Sequence, residues 1–216
     1  MRAWWGVALL LISTAGAQET SKNLVRLDFS NPSIIPAQWE LVVYADGRGH
    51  FHAVRGNAKD SSAGDMEPLT IDEDVRLSGP FAAQIFAMLE HHRVGDGRCE
   101  SHSKVAFQGI KTLAYQGPGF HWSCSFNYAK DKDVAMVADL LMSVAATLVE
   151  GARLELIWQH DPLGLDKELE FLSDASADGR LQQICAIREI LAKLAVDPTV
   201  MERVRKQARK LAQCSP

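Results

Sequence analysis

The chain has 216 residues, with 27 acidic and 23 basic side chains and a formal net charge of −4. That balance excludes general nucleic-acid binding, which needs a basic surface. Hydrophobic residues make up 47% of the chain, enough to build a core and to exclude intrinsic disorder.

The N-terminus reads as a cleavable export signal. Arg2 is the one charge ahead of an apolar run from Ala3 to Ile12, and small residues follow from Ser13 to Ala17. Ala15 and Ala17 fit the A-x-A rule, so residues 1–17 are expected to be a signal peptide cut before Gln18. The run is about half of the ~20 residues a spanning helix needs. No later segment is expected to cross a membrane, because Asp139 and Glu150 punctuate the best candidate. The expected product is a secreted or periplasmic chain. About 199 residues would remain, room for one substantial core or two small ones.

Four cysteines fit that destination: Cys99, Cys124, Cys185 and Cys214. An even count in an oxidising compartment predicts two disulfides. The pairing Cys99–Cys124 and Cys185–Cys214 is expected, because each joins neighbouring elements. Zinc is disfavoured by the absence of paired CxxC or CxxH spacings.

Residues 18–23 read as a polar tail. Leu24–Phe29 reads as a short strand, and Asn31-Pro32 and Ile35-Pro36 break regular structure after it. Trp39–Ala45 and His50–Arg55 form a hairpin around Asp46-Gly47-Arg48-Gly49. Residues 56–67 make an exposed loop. Leu69–Leu77 is a weaker strand, because Asp72-Glu73-Asp74 interrupts it. Ser78 is expected to cap a helix over 78–92, with Pro80 in its first turn and Phe81, Ile85, Met88 and Leu89 as its buried stripe. Gly95 and Gly97 stop it.

Lys104–Tyr115 and Phe120–Tyr128 form a second hairpin around Gly117-Pro118-Gly119. Its second strand alternates Phe120, Trp122, Cys124, Phe126 and Tyr128 with polar residues, which predicts one buried face. The two hairpins look alike; shared turn chemistry accounts for this as well as duplication does. Asp131 caps a helix over 131–149, and Gly151 is expected to end or bend it. Residues 152–159 fit helix or strand. Three helical segments follow: Leu165–Ala175, a stripe from Leu181 to Leu194, and Met201–Leu211, the last capped by Asp197 with Pro198 in its first turn. The expected fold is α+β. An antiparallel sheet of two hairpins plus one or two further strands is packed by two helices on one face. Residues 18–150 form this sheet–helix domain, and residues 151–216 a helical extension packed on it.

The chemistry-bearing residues are sparse. His50 and His52 share one strand face, and His121 lies on the polar face of the second hairpin. If the hairpins brought them together, three histidines would suit catalytic zinc. The adopted reading is no metal, a solvated face that happens to hold histidine. His91 and His92 are read as cations at a helix C-terminus. Asp72, Glu73 and Asp74 lack the glycine and final glutamate of a calcium loop. Arg203, Arg205, Lys206, Arg209 and Lys210 are read as a solvated, dipole-complementing helix face. No G-x-S-x-G, S-x-x-K, H-E-x-x-H, G-x-G-x-x-G or P-loop motif occurs, so no catalytic residue is assigned and no cofactor is expected. A carboxylate pair for glycoside hydrolysis stays open, since a fold, not a spacing, would join it. The leading reading is a non-enzymatic exported module binding a protein or ligand partner through its polar sheet face or helical tail. The alternatives are a hydrolase using His50, His52 and His121, and a carrier with Trp39, Trp122 and Phe126 lining an apolar cavity.

Overall fold

The computed structural model describes residues 23–56, 67–92 and 97–213. The export signal, the tail at 18–22, loop residues 57–66, Gly95 and Cys214 lie outside the described residues.

Period-two alternation builds the sheet. Its strands are β1 (Leu24–Ser30), β2 (Gln38–Tyr44), β3 (Arg48–Val54), β4 (Thr70–Arg76), β5 (Gly97–Arg98), β6 (Ile110–Gly117) and β7 (Phe120–Phe126). The order is β4-β3-β2-β1-β6-β7-β5. Six strands are antiparallel, and the two-residue β5 runs parallel to β7. β1 therefore sits between the two hairpins. Gly47 lets the β2–β3 turn close: its φ is +80°, and its N–H donates to the Tyr44 carbonyl at 2.9 Å.

One face of the sheet is apolar. Val25, Leu27, Leu41, Val43, Phe51 and Leu113 are fully buried there. Each such side chain contributes about 1.5–3 kcal/mol of transfer free energy. The helices α1 (Gly79–Leu89) and α2 (Lys132–His160) cover this face. Asp131 caps α2, accepting from the N–H groups of Asp133 and Val134 at 2.9 and 3.1 Å. At 29 residues, α2 is about 43 Å long. Its N-terminal half lies against β6, and its Gly151–Gln159 half runs beside the outer edge of β4. The helices α3 (Leu165–Ala177) and α4 (Arg188–Val196) and a 3-10 turn at Ile184–Ile187 pack against α2, and α5 (Glu202–Ala212) packs on α3 and α4. The α+β architecture with a C-terminal helical region is as expected from sequence.

Several local expectations are corrected. Gly151 does not end α2, which runs on to His160. A Cβ on Gly151 would collide with Ile187 Cγ2, so the glycine lets the 3-10 turn lie against the helix. Residues 152–159 are helical, and the expected boundary at 150/151 falls inside α2. By length and composition α2 is also apolar enough to cross a membrane, despite Asp139 and Glu150. Half of that apolar window is buried within the fold, as in a core helix. β4 is a full strand because Ile71 and Val75 point inward, leaving Asp72 and Asp74 to face out. Residues 104–109 are not strand. Ser78 stands at the N-cap of α1 without a side-chain cap; its N–H donates to Gln183 Oε1 at 2.8 Å. Asp197 closes α4 instead of capping α5, and its carboxylate accepts from Trp158 Nε1 at 2.7 Å.

Cys99 and Cys124 are disulfide-bonded, with Cα atoms 5.6 Å apart. The bridge ties the segment after α1 to the buried face of β7, as the sequence predicts. Cys185 is also disulfide-bonded. Cys214, its expected partner, lies outside the described residues.

Candidate functional site on the open sheet face

The helices cover one face, and among the described residues no helix lies over the opposite face of the sheet. Register alone arranges its side chains in rows. Asp72 of β4 lies opposite His52, His52 opposite Glu40, Glu40 opposite Asp28, Asp28 opposite Thr112, and Thr112 opposite Ser125. One polar row thus crosses all six antiparallel strands. The end hydroxyls, Thr112 Oγ1 and Ser125 Oγ, are hydrogen-bonded at 2.8 Å.

The centre of the row carries an electrostatic conflict. Asp28 and Glu40 are like charges directly across the β1–β2 ladder, an arrangement that destabilises a sheet. Arg26, from the neighbouring row, offsets it: its guanidinium lies 3.2 Å from Asp28 and 3.6 Å from Glu40. Partial burial pushes the Asp28 carboxyl up, Arg26 pulls it back, and a hydrogen bond with Glu40 raises it again, leaving it above the usual range. A shallow concavity of about 330 Å³ opens over this centre. Asp28, Ser30, Gln38, Glu40, His52 and Thr112 supply its polar lining, and Val54 and Ile110 its exposed apolar flank.

At the β3–β4 end, Asp72 bridges two histidines. Its carboxylate lies 3.1 Å from His50 Nε2 and 3.1 Å from His52 Nδ1. Asp74 lies 3.0 Å from His50 Nδ1, and this hydrogen bond raises the affinity of His50 for its proton. Both ring nitrogens of His50 are therefore committed to carboxylates. His121 lies on the same face but on β7, paired with Gln116. Four strand spacings separate it from β3, about 19 Å. The three candidate histidines do not converge, because β2, β1 and β6 intervene between their strands.

His92 is not the dipole partner the sequence suggests. Its Nε2 lies 2.7 Å from Asp133 and its Nδ1 3.4 Å from Asp131, tying the end of α1 to the start of α2. The three side chains come close enough to hold an ion. However, the two ring nitrogens serve different carboxylates, and Asp131 Oδ1 is occupied as the helix cap. The imidazole ring of His92 spans the two aspartates, one at each nitrogen. The three arginines of α5 are also engaged: Arg203 pairs with Asp166, and Arg205 and Arg209 pair with Glu202.

Sequence reasoning missed a buried acidic cluster. Glu150 and Arg153 of α2, Glu168 of α3 and Glu67 meet around one guanidinium, with Arg153 3.4–3.6 Å from each carboxylate. Burial, reinforced by a hydrogen bond with Glu168, pushes the Glu150 carboxyl up to about 8. The only sequence signal was a glutamate in an apolar helix with arginine three residues on. The aromatics of the carrier reading are packed in the core: Trp39 stacks on Phe29 at 5.3 Å and Trp122 on Tyr115 at 6.1 Å.

No protein family matches the chain, and no curated protein matches it.

Proposed function

We propose that this is an exported, non-enzymatic binding module whose ligand lies across the open sheet face. The observation that carries the reading is the Asp28–Glu40 pair under the 330 Å³ concavity. Two carboxylates opposed across a ladder cost stability, and a ligand bearing hydrogen-bond donors or a cation would relieve that cost. Val54 and Ile110 beside them offer apolar contact, so the fitting ligand is amphipathic. Export is supported by the 1–17 leader pattern and by the Cys99–Cys124 bridge, a bond typical of oxidising compartments.

The test is partner capture from the exported fraction of the source cells with the mature chain and two variants. Asp28→Asn with Glu40→Gln removes the charge conflict and should fold at least as stably as the parent. It should lose at least tenfold in partner affinity. A control with Arg203→Ala on α5 should bind normally. Undiminished binding by the double variant, or loss confined to the α5 control, would overturn the reading.

A further inference from the structure

A second surface lies at the sheet's edge, separate from the open face. Among the described residues, β4 pairs with β3 alone. The bonds from Arg55 N–H to the Leu69 carbonyl and from Leu77 N–H to the Gly47 carbonyl set the phase of that ladder. Odd-numbered residues of β4 therefore turn their backbone groups toward β3. Thr70, Asp72, Asp74 and Arg76 turn theirs outward, and among the described residues these groups have no backbone partner. Four residues of such edge are an exposed template for another strand.

The edge borders a half-open groove of about 450 Å³ whose other walls are α2 and α4. Ala152 and Leu156 line the α2 side, and Ile71, Ile187 and Ile190 supply an apolar floor. Glu73 of β4, Glu155 of α2 and Glu189 of α4 reach the groove from three elements, with Asp72 and Asp74 at the rim. Lys193 is the one cation among the lining residues, and it is paired with Glu189 at 2.9 Å.

We infer that this groove binds an extended, basic polypeptide segment, which adds to β4 as an antiparallel or parallel edge strand. The acidic lining selects lysine or arginine side chains, and the free backbone groups of β4 supply the ladder. A second copy of this chain is the wrong occupant. Antiparallel β4–β4 pairing about Glu73 would set Asp72 against Asp74 and Glu73 against itself, like charges directly opposed.

The test uses three synthetic peptides and the mature protein. One alternates lysine and valine, one alternates glutamate and valine, and the third is the lysine peptide N-methylated at alternate residues. The lysine peptide should bind at least tenfold tighter than either control, weaken as salt is raised, and slow hydrogen exchange at the Asp72 and Asp74 amides. Glu155→Lys with Glu189→Lys should weaken it at least tenfold while the far-ultraviolet circular dichroism spectrum stays unchanged. Equal binding of the N-methylated peptide would reduce the effect to charge attraction and overturn strand addition. Equal binding of the acidic peptide, protection elsewhere than β4, or no binding would overturn it as well. None of these outcomes bears on the open face, whose test reads Asp28 and Glu40.

Discussion

At the scale of single residues, the most informative side chain is Glu150. It is buried against Glu168, with its carboxyl pushed up to about 8 from an ordinary value of 4.5. Between those two values the folded chain holds a proton that the unfolded chain has released. Stability contributed by the neutral carboxyl is therefore complete below pH 4.5 and is lost as pH rises toward 8. Glu150→Gln keeps the shape and the neutral state at every pH. Urea unfolding at a series of pH values should show the variant close to the parent at pH 5 and more stable by about 1–3 kcal/mol at pH 8 to 9. An identical pH slope in the two proteins would mean that Glu150 ionises freely in the fold. His50 titrates in the same direction, since Asp74 raises its proton affinity, but it is common to both proteins and cancels in the comparison.

At the scale of elements, local patterns were legible where the decisive interaction was local. The alternation in β7 and the Asp131 cap of α2 both stood in the sequence, because the residues that decide them lie within a few positions. Gly151 was misread because local rules treat a helical glycine as a stop signal, whereas here the reason for it sits at Ile187, in another element. His121 failed to join His50 and His52 for a similar cause: their faces follow from alternation, but the placing of β1 between the hairpins does not. The polar row was invisible for the same reason, since it exists only once strand order is known. Gly151 lends itself to a direct test. At an unhindered helix position, Gly→Ala stabilises by about 1 kcal/mol. Here Gly151→Ala should destabilise by about 1–3 kcal/mol, because the new methyl overlaps Ile187. Combining it with Ile187→Ala should cost less than the two single changes added together, as measured by a double-mutant cycle in urea. Simple additivity would show that the 3-10 turn moves aside freely.

At the scale of the whole molecule, the question is whether the sheet and the helical tail are one folding unit. The sequence suggested a seam at residue 150, yet α2 runs through that point and belongs to both parts. Its first half is buried against the sheet through Val134, Val137 and Leu141, and its second against the tail through Leu154 and Ile157. The buried side chains form one continuous cluster from Val25 to Ala208. Unfolding the tail alone would expose the second half of α2 and leave Arg153 without its Glu168 partner. Such a partly folded state lies high in energy, so a single cooperative transition is expected. Tryptophans on both sides of the seam make this measurable: Trp39 and Trp122 report on the sheet, while Trp158 is anchored to Asp197 in the tail. With the disulfides intact, the parent and a Trp158→Phe variant should each show fluorescence and circular dichroism curves that coincide, with calorimetric and van't Hoff enthalpies that agree. A tail signal that melts before the sheet signal would restore the seam. It would also place the β4 groove, which needs walls from both parts, on an interface that opens before the protein unfolds.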